Sequence, residues 1–185
     1  MIYPINIIGS PVLRKVAEDI DQTYPNLHEF LENLKETMYE TDGLGLAAPQ
    51  VGKSVRIFVI DGSAIADDFP ELADFKRTFI NAHIVEKSEE LQKASEGCLS
   101  IPGIHEEVDR HKKVRIQYRD ENWQEQDETL EGMAAVILQH EYDHLDGILF
   151  TDKIAPLRKV LLKKKLERIS KGDFEHRYKF KLAGK

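Results

Sequence analysis

The chain has 185 residues, 41% of them hydrophobic and 8% aromatic. That is enough to bury one sizeable core, which excludes wholesale disorder and suits a single domain. Its 26 Lys/Arg against 33 Asp/Glu give a net charge of −7, and its one cysteine, Cys98, excludes an internal disulfide. A balance of that sign argues against a surface that grips nucleic acid all over.

The opening, Met1 to Ser10, reads as a loop because Pro4, Gly9 and Pro11 interrupt it. It lacks a charged segment followed by a cleavable apolar run, and no stretch of the chain reaches the roughly 18 apolar residues of a membrane span. The expectation is a soluble, cytoplasmic chain. A first helix is predicted from Asn26 to Tyr39, with Leu27, Phe30, Leu31, Leu34 and Met38 at helical spacing and Asn26 as N-cap. The small-residue run from Gly43 to Gly52 ends it. Val55–Ile60 reads as a buried strand, Asp61–Asp74 as a loop insertion and Phe79–Val85 as another strand. Val114–Tyr118 and Trp123–Leu130 flank Asp120-Glu121-Asn122 as a hairpin.

A strongly apolar helix follows from Glu131 to Asp146, stopped by Gly147. Pro156 opens a last helix that runs to Ser170, and residues 171–185 read as a polar, flexible tail. The whole is an α+β fold: one domain over residues 1–170, with mainly antiparallel sheet around the apolar helix, a C-terminal helix, and a basic tail. Charge is uneven along it. Residues 153–185 hold twelve Lys/Arg against three acids, a net +9, whereas residues 1–152 hold fourteen against thirty, a net −16.

The chemistry concentrates in His140-Glu141-Tyr142-Asp143-His144, an H-E-x-x-H on the apolar helix. Histidines at i and i+4 share a face and can reach one metal ion, while the glutamate between them is turned about 100° away, placed to handle a proton. Met133, Val136 and Ile137 lie on the histidines' face, which therefore looks into apolar surroundings. A catalytic ion needs a third protein ligand and an open position. A third histidine six residues past His144 is missing, since Phe150 stands there. Glu167 is one candidate, although its neighbours Lys163, Lys164, Lys165 and Arg168 suit a solvent salt bridge. Cys98, in Glu96-Gly97-Cys98-Leu99-Ser100, is the other.

Three segments in order resemble the peptide deformylases: Gly43-Leu44-Gly45-Leu46-Ala47-Ala48-Pro49-Gln50, Glu96-Gly97-Cys98-Leu99-Ser100 and His140-Glu141-Tyr142-Asp143-His144. Gly9-Ser10-Pro11-Val12-Leu13-Arg14 resembles the family's N-terminal block as well, so the likeness spans most of the chain. The resemblance implies an enzyme that hydrolyses the N-formyl group from the N-terminal formylmethionine of nascent polypeptides, releasing formate. It implies one divalent metal held by Cys98, His140 and His144 with water as fourth ligand, usually Fe2+, with Zn2+, Ni2+ or Co2+ able to take its place. Donor type alone would have suggested zinc.

By the same resemblance Glu141 moves the proton, and the Gln50 amide and Leu99 backbone N–H stabilise the oxyanion. Leu44, Met133, Val136 and Ile137 form the methionine pocket with the edge of His140, and Leu44, Gly45 and Gly97 offer backbone hydrogen bonds to an extended peptide. From the residues alone, Gln50 also suits a loop-capping amide. Glu96 is expected to pair with Arg110, and Asp143 to orient His140 or a neighbouring basic group, or else to sit in an exposed helix salt bridge. His105 stands where some family members carry an arginine at the pocket rim. Rival readings are an endopeptidase using Glu167 as ligand and a structural metal domain with a closed four-ligand site. The +9 segment is the part suited to docking on ribosomal RNA phosphate.

Overall fold

Fourteen residues, Gly132–Leu145, form helix α2, and ten of them are buried because its sequence is apolar on nearly every face. Everything else is arranged around it in the computed structural model, which describes residues 1–184. The helix ends as predicted at Gly147, whose φ of 70° is the left-handed conformation that glycine adopts without strain. The Ile148 N–H donates to the Asp143 carbonyl (2.9 Å) and the Gly147 N–H to the His144 carbonyl (3.4 Å), which satisfies the open carbonyls of the last turn.

Strands β2 (Gly45–Ala47), β3 (Ile57–Asp61), β4 (Lys76–Lys87), β7 (Lys113–Arg119) and β8 (Glu125–Glu131) form one antiparallel sheet in the order β2-β3-β4-β7-β8. The predicted strands are all present, with β4 longer than the sequence suggests. Trp123 lies outside β8 because it takes φ 64° in the connecting turn, where Asp120 Oδ1 accepts from the Asn122 and Gln124 backbone N–H groups. Phe58, Phe79 and Ile116 of this sheet pack with Ala135, Leu138 and Leu145 of α2. The 61–74 segment is not a bare loop. It holds two 3-10 turns, Gly62–Ile65 and Pro70–Leu72, and seats Leu72 fully in the core.

A second apolar cluster joins helix α1 (Leu27–Glu40) to an antiparallel hairpin of β5 (Leu91–Cys98) and β6 (Ile101–His111). That hairpin was not foreseen. Asn26 also departs from expectation, since its left-handed backbone (φ 56°) leaves the side chain without a capping hydrogen bond, and only its carbonyl enters the helix, accepting from the Phe30 N–H (2.9 Å).

Helix α3, Pro156–Ser170, starts and ends where the sequence places it. Only Ile169 of it is buried; Leu162 and Leu166 are half-buried, and Leu157, Val160 and Leu161 are more than 60% exposed. No helix among the described residues is long and apolar enough to cross a membrane.

The two chain ends overturn the sequence reading. Ile5–Asn6 is a short buried strand, β1, and it pairs in parallel with β9, Phe180–Lys181. Residues 171–184 thus return to the body instead of trailing from it, because Phe174, Tyr178, Phe180 and Leu182 have apolar surface to bury against the cluster that contains Ile5 and Ile169. Lys185, counted in the basic segment, lies outside the described residues.

Candidate active site

Helical spacing brings the His140 and His144 rings within 5.2 Å, centroid to centroid. Cys98 reaches them from the end of β5. There the pairing with β6 shifts register, from Gly97 opposite His105 to Cys98 opposite Ile101, and the turn Leu99-Ser100 follows at once. Cys98 Sγ lies 3.4 Å from His144 Nε2, and one donor atom from each of the three residues falls within 4.8 Å of the others. Among the described residues this is the one such group of three. Glu167, the other candidate ligand, is exposed on α3 and takes no part.

Charged groups behind the cluster fix it in place. Arg110, 2% exposed, forks onto Glu96, with Nε 2.6 Å from Oε1 and the second terminal nitrogen 2.9 Å from Oε2, and its other terminal nitrogen is 2.6 Å from Asp143 Oδ2. The Glu96–Arg110 pair is the one the sequence suggested. Glu96, not Asp143, orients the histidine: its Oε2 lies 2.7 Å from His140 Nδ1, so with that nitrogen donating, Nε2 keeps its lone pair for a ligand. Asp143 is buried and binds Arg110 and Lys153, so of its expected roles it holds a neighbouring basic group and does not form an exposed salt bridge. Burial would raise the Glu96 carboxyl, but hydrogen bonds from Arg110 and His140 outweigh it and hold the group down at about 2.

Glu141 is 4% exposed and its Oε2 finds no hydrogen-bond partner among the described residues. Burial pushes its carboxyl up to about 7, against a smaller opposing pull from His140. The other side of this carboxylate is closed by Gly45, where even a methyl group would collide with it. Gln50 takes the loop-capping role that its sequence position allowed. Its Oε1 accepts from the Ala47 N–H (2.9 Å), capping the loop, and this turns Nε2 toward Ser100 Oγ (3.3 Å) and Cys98 Sγ (3.6 Å).

These groups open into a cleft of about 490 Å³. Leu44, Gly45, Met133, Val136 and Ile137 form one part of its lining, and Gln50, Gly97, Cys98, Leu99, His140 and Glu141 another. Of the twelve residues singled out in the sequence, only His144 does not line it, being 1% exposed behind Cys98. His105 also faces this cleft, and a Cβ on Gly97 would meet its ring at 2.6 Å. Tyr178, from the returning C-terminal segment, lines it too, and sequence reasoning missed it. A second cleft of about 480 Å³, lined by Lys35, Lys76, Arg77, Glu121 and Glu128 among others, contains none of the three donors.

One cysteine sulfur, two imidazoles and an unpartnered buried carboxyl group suit a divalent ion with an open position. The cluster offers three candidate donors, and no fourth joins it among the described residues. Comparison with known proteins points the same way. The family model described as polypeptide deformylase matches residues 2–160. The peptide deformylase of Christiangramia forsetii is 50% identical, covering 98% of this chain and 96% of its own, and that of Flavobacterium johnsoniae is 49% identical over 99% and 97%. Among solved structures, Thermotoga maritima peptide deformylase superposes with a TM-score of 0.76 at 42% identity, covering 84% of this chain and 99% of its own. A Plasmodium falciparum peptide deformylase gives 0.81 at 38%, covering 91% and 95%. The chain belongs to the polypeptide deformylase family, metal-dependent hydrolases that remove the N-formyl group from the N-terminal methionine of nascent polypeptides.

Proposed function

We propose that deformylation in this chain runs on Glu141 as proton carrier, on Gln50 and Leu99 as oxyanion donors, and on Cys98, His140 and His144 as metal ligands. A divalent ion held there supplies Lewis acidity, making water at the site easier to deprotonate. Fe2+ is our assignment for the native ion, resting on the family resemblance.

The observation that carries the reading is the buried Oε2 of Glu141, which has no hydrogen-bond partner among the described residues and lies on the cleft beside the donor cluster. A carboxyl raised to about 7 is matched to taking a proton from the attacking water and returning it to the leaving amine. Gln50 Nε2, fixed by the bond that Oε1 makes to Ala47, and the Leu99 N–H are donors set before charge develops on the formyl oxygen. Leu44, Met133, Val136 and Ile137 receive the methionine side chain, while Leu44, Gly45 and Gly97 pair with the peptide backbone as an added strand.

The test is formate release from formyl-Met-Ala-Ser by metal-loaded protein. Turnover in the wild type and a loss on the order of 10³-fold in Glu141→Gln is the expected result; equal rates in the two would overturn the assignment.

The basic segment supports a second element of the reading, docking on ribosomal RNA phosphate during work in the cytoplasm. Lys159, Lys163 and Lys164 are exposed on α3, beside the exposed Leu157, Val160 and Leu161. Reversing the charge of the three lysines should weaken ribosome binding and reduce its salt dependence. Binding that survives the reversal would remove this element and leave the chemistry untouched.

A further inference from the structure

The turn Leu99-Ser100 follows Cys98 directly and carries the proposed oxyanion N–H of Leu99, yet it sits at the tip of a two-stranded hairpin. Something must hold it. Besides Gln50 Nε2 on the Ser100 hydroxyl, two bonds from outside the hairpin hold its backbone carbonyls. The Ile8 N–H donates to the Ser100 carbonyl (2.8 Å), and the Tyr178 hydroxyl donates to the Leu99 carbonyl (2.6 Å).

Both come from one unit. Ile5 N–H donates to the Lys179 carbonyl (2.9 Å) and Ile7 N–H to the Lys181 carbonyl (3.0 Å), so the strand that leads to Ile8 and the strand that follows Tyr178 are zipped together. Phe174, Phe180 and Leu182 anchor the C-terminal partner against the core, and Phe174 and Phe180 lie 4.9 Å apart, centroid to centroid. The family model match ends at residue 160, so this segment lies beyond it. Tyr178 meanwhile lines the substrate cleft.

We propose that Tyr178 is a positioning residue for the deformylation reaction: its hydroxyl, held by the β1–β9 pair, fixes the Leu99 carbonyl and so aims the Leu99 N–H at the developing oxyanion. The inference rests on the assignment of Leu99 made above. Rotation of the Leu99 backbone would carry its N–H away from the oxyanion, and the hydroxyl bond opposes that rotation. Because the charge on the formyl oxygen develops only in the transition state, the effect belongs in kcat and not in KM.

The test is Tyr178→Phe in the full, metal-loaded chain, since phenylalanine keeps the ring that packs and removes only the donor. The expected result is a fall in kcat of about 3- to 10-fold, the range for one neutral hydrogen bond. KM for formyl-Met-Ala-Ser, bound metal and Tm should stay at wild-type values, and the Leu99 amide resonance of an isotope-labelled sample should move. An unchanged kcat, an unmoved Leu99 resonance, or a loss that follows metal content or Tm would overturn the proposal. A wild type no faster than Glu141→Gln would instead overturn the reading of the site itself, so the two failures are told apart.

Discussion

A Cβ built on Gly45 would stand 2.6 Å from Glu141 Oε1 and 2.7 Å from its Cδ and Cγ. The glycine in the first sequence block is therefore small for the sake of a residue nearly a hundred positions later. Gly45→Ala should force the Glu141 carboxylate out of position, at an overpacking cost of about 1–3 kcal/mol. A misplaced proton carrier should lower kcat on the order of 10²-fold. Steady-state formate release, read beside a thermal unfolding curve, separates the two effects.

Arg110 ties β6 to β5 through Glu96 and to α2 through Asp143, with all three side chains buried. Arg110→Leu would remove the guanidinium from two interior carboxylates, leaving Glu96 with His140 and Asp143 with Lys153, and should destabilise the fold by about 3 kcal/mol. Arg110→Lys should recover only part of this, because an ammonium lacks the fork that meets both carboxylates. Urea unfolding midpoints check both.

Asp61 gives the stability a pH dependence remote from the metal ligands. Burial would raise its carboxyl, but Ser63, Lys76 and Tyr39 all bond to it and hold it at about 2. A folded pKa below the unfolded value of about 3.9 means a contribution that is full above that pH and is lost as pH falls through about 2. Asp61→Asn should lower stability at neutral pH by about 2 kcal/mol. It should also flatten the acid limb between roughly pH 4 and 2. Chemical unfolding at a series of pH values would show it.

Removal of the metal with a chelator should abolish turnover, and re-addition of a divalent ion should restore it. Cys98→Ala should lose bound metal measured by elemental analysis, whereas Glu167→Ala, altered on the exposed face of α3, should keep it. Retention of metal in Cys98→Ala would remove the cysteine from the ligand set.

What the sequence by itself determined is local. His140, Glu141 and His144 belong to one helix, so their relative placement follows from helical geometry alone. The extent of α3 follows from Pro156 and its apolar spacing, and the strands of the main sheet from short apolar runs. The β5–β6 hairpin escaped notice because two of its buried positions hold Glu96 and Arg110, so charge interrupts the alternation that marks a half-buried strand. Glu96 orients His140, whereas Asp143, expected to orient either His140 or a neighbouring basic group, holds the basic Arg110.

The tail shows the converse. Tyr178, Phe180 and Leu182 alternate with lysines, a strand signal too short to stand out in a basic segment. Its partner, Ile5–Asn6, lies at the far end of the chain, and only tertiary structure decides that two such ends meet. The opening charge count separated an acidic body from a basic end. The fold adds that this end bears on the Leu99-Ser100 turn beside the candidate site, because residues remote in sequence find their buried surface in each other.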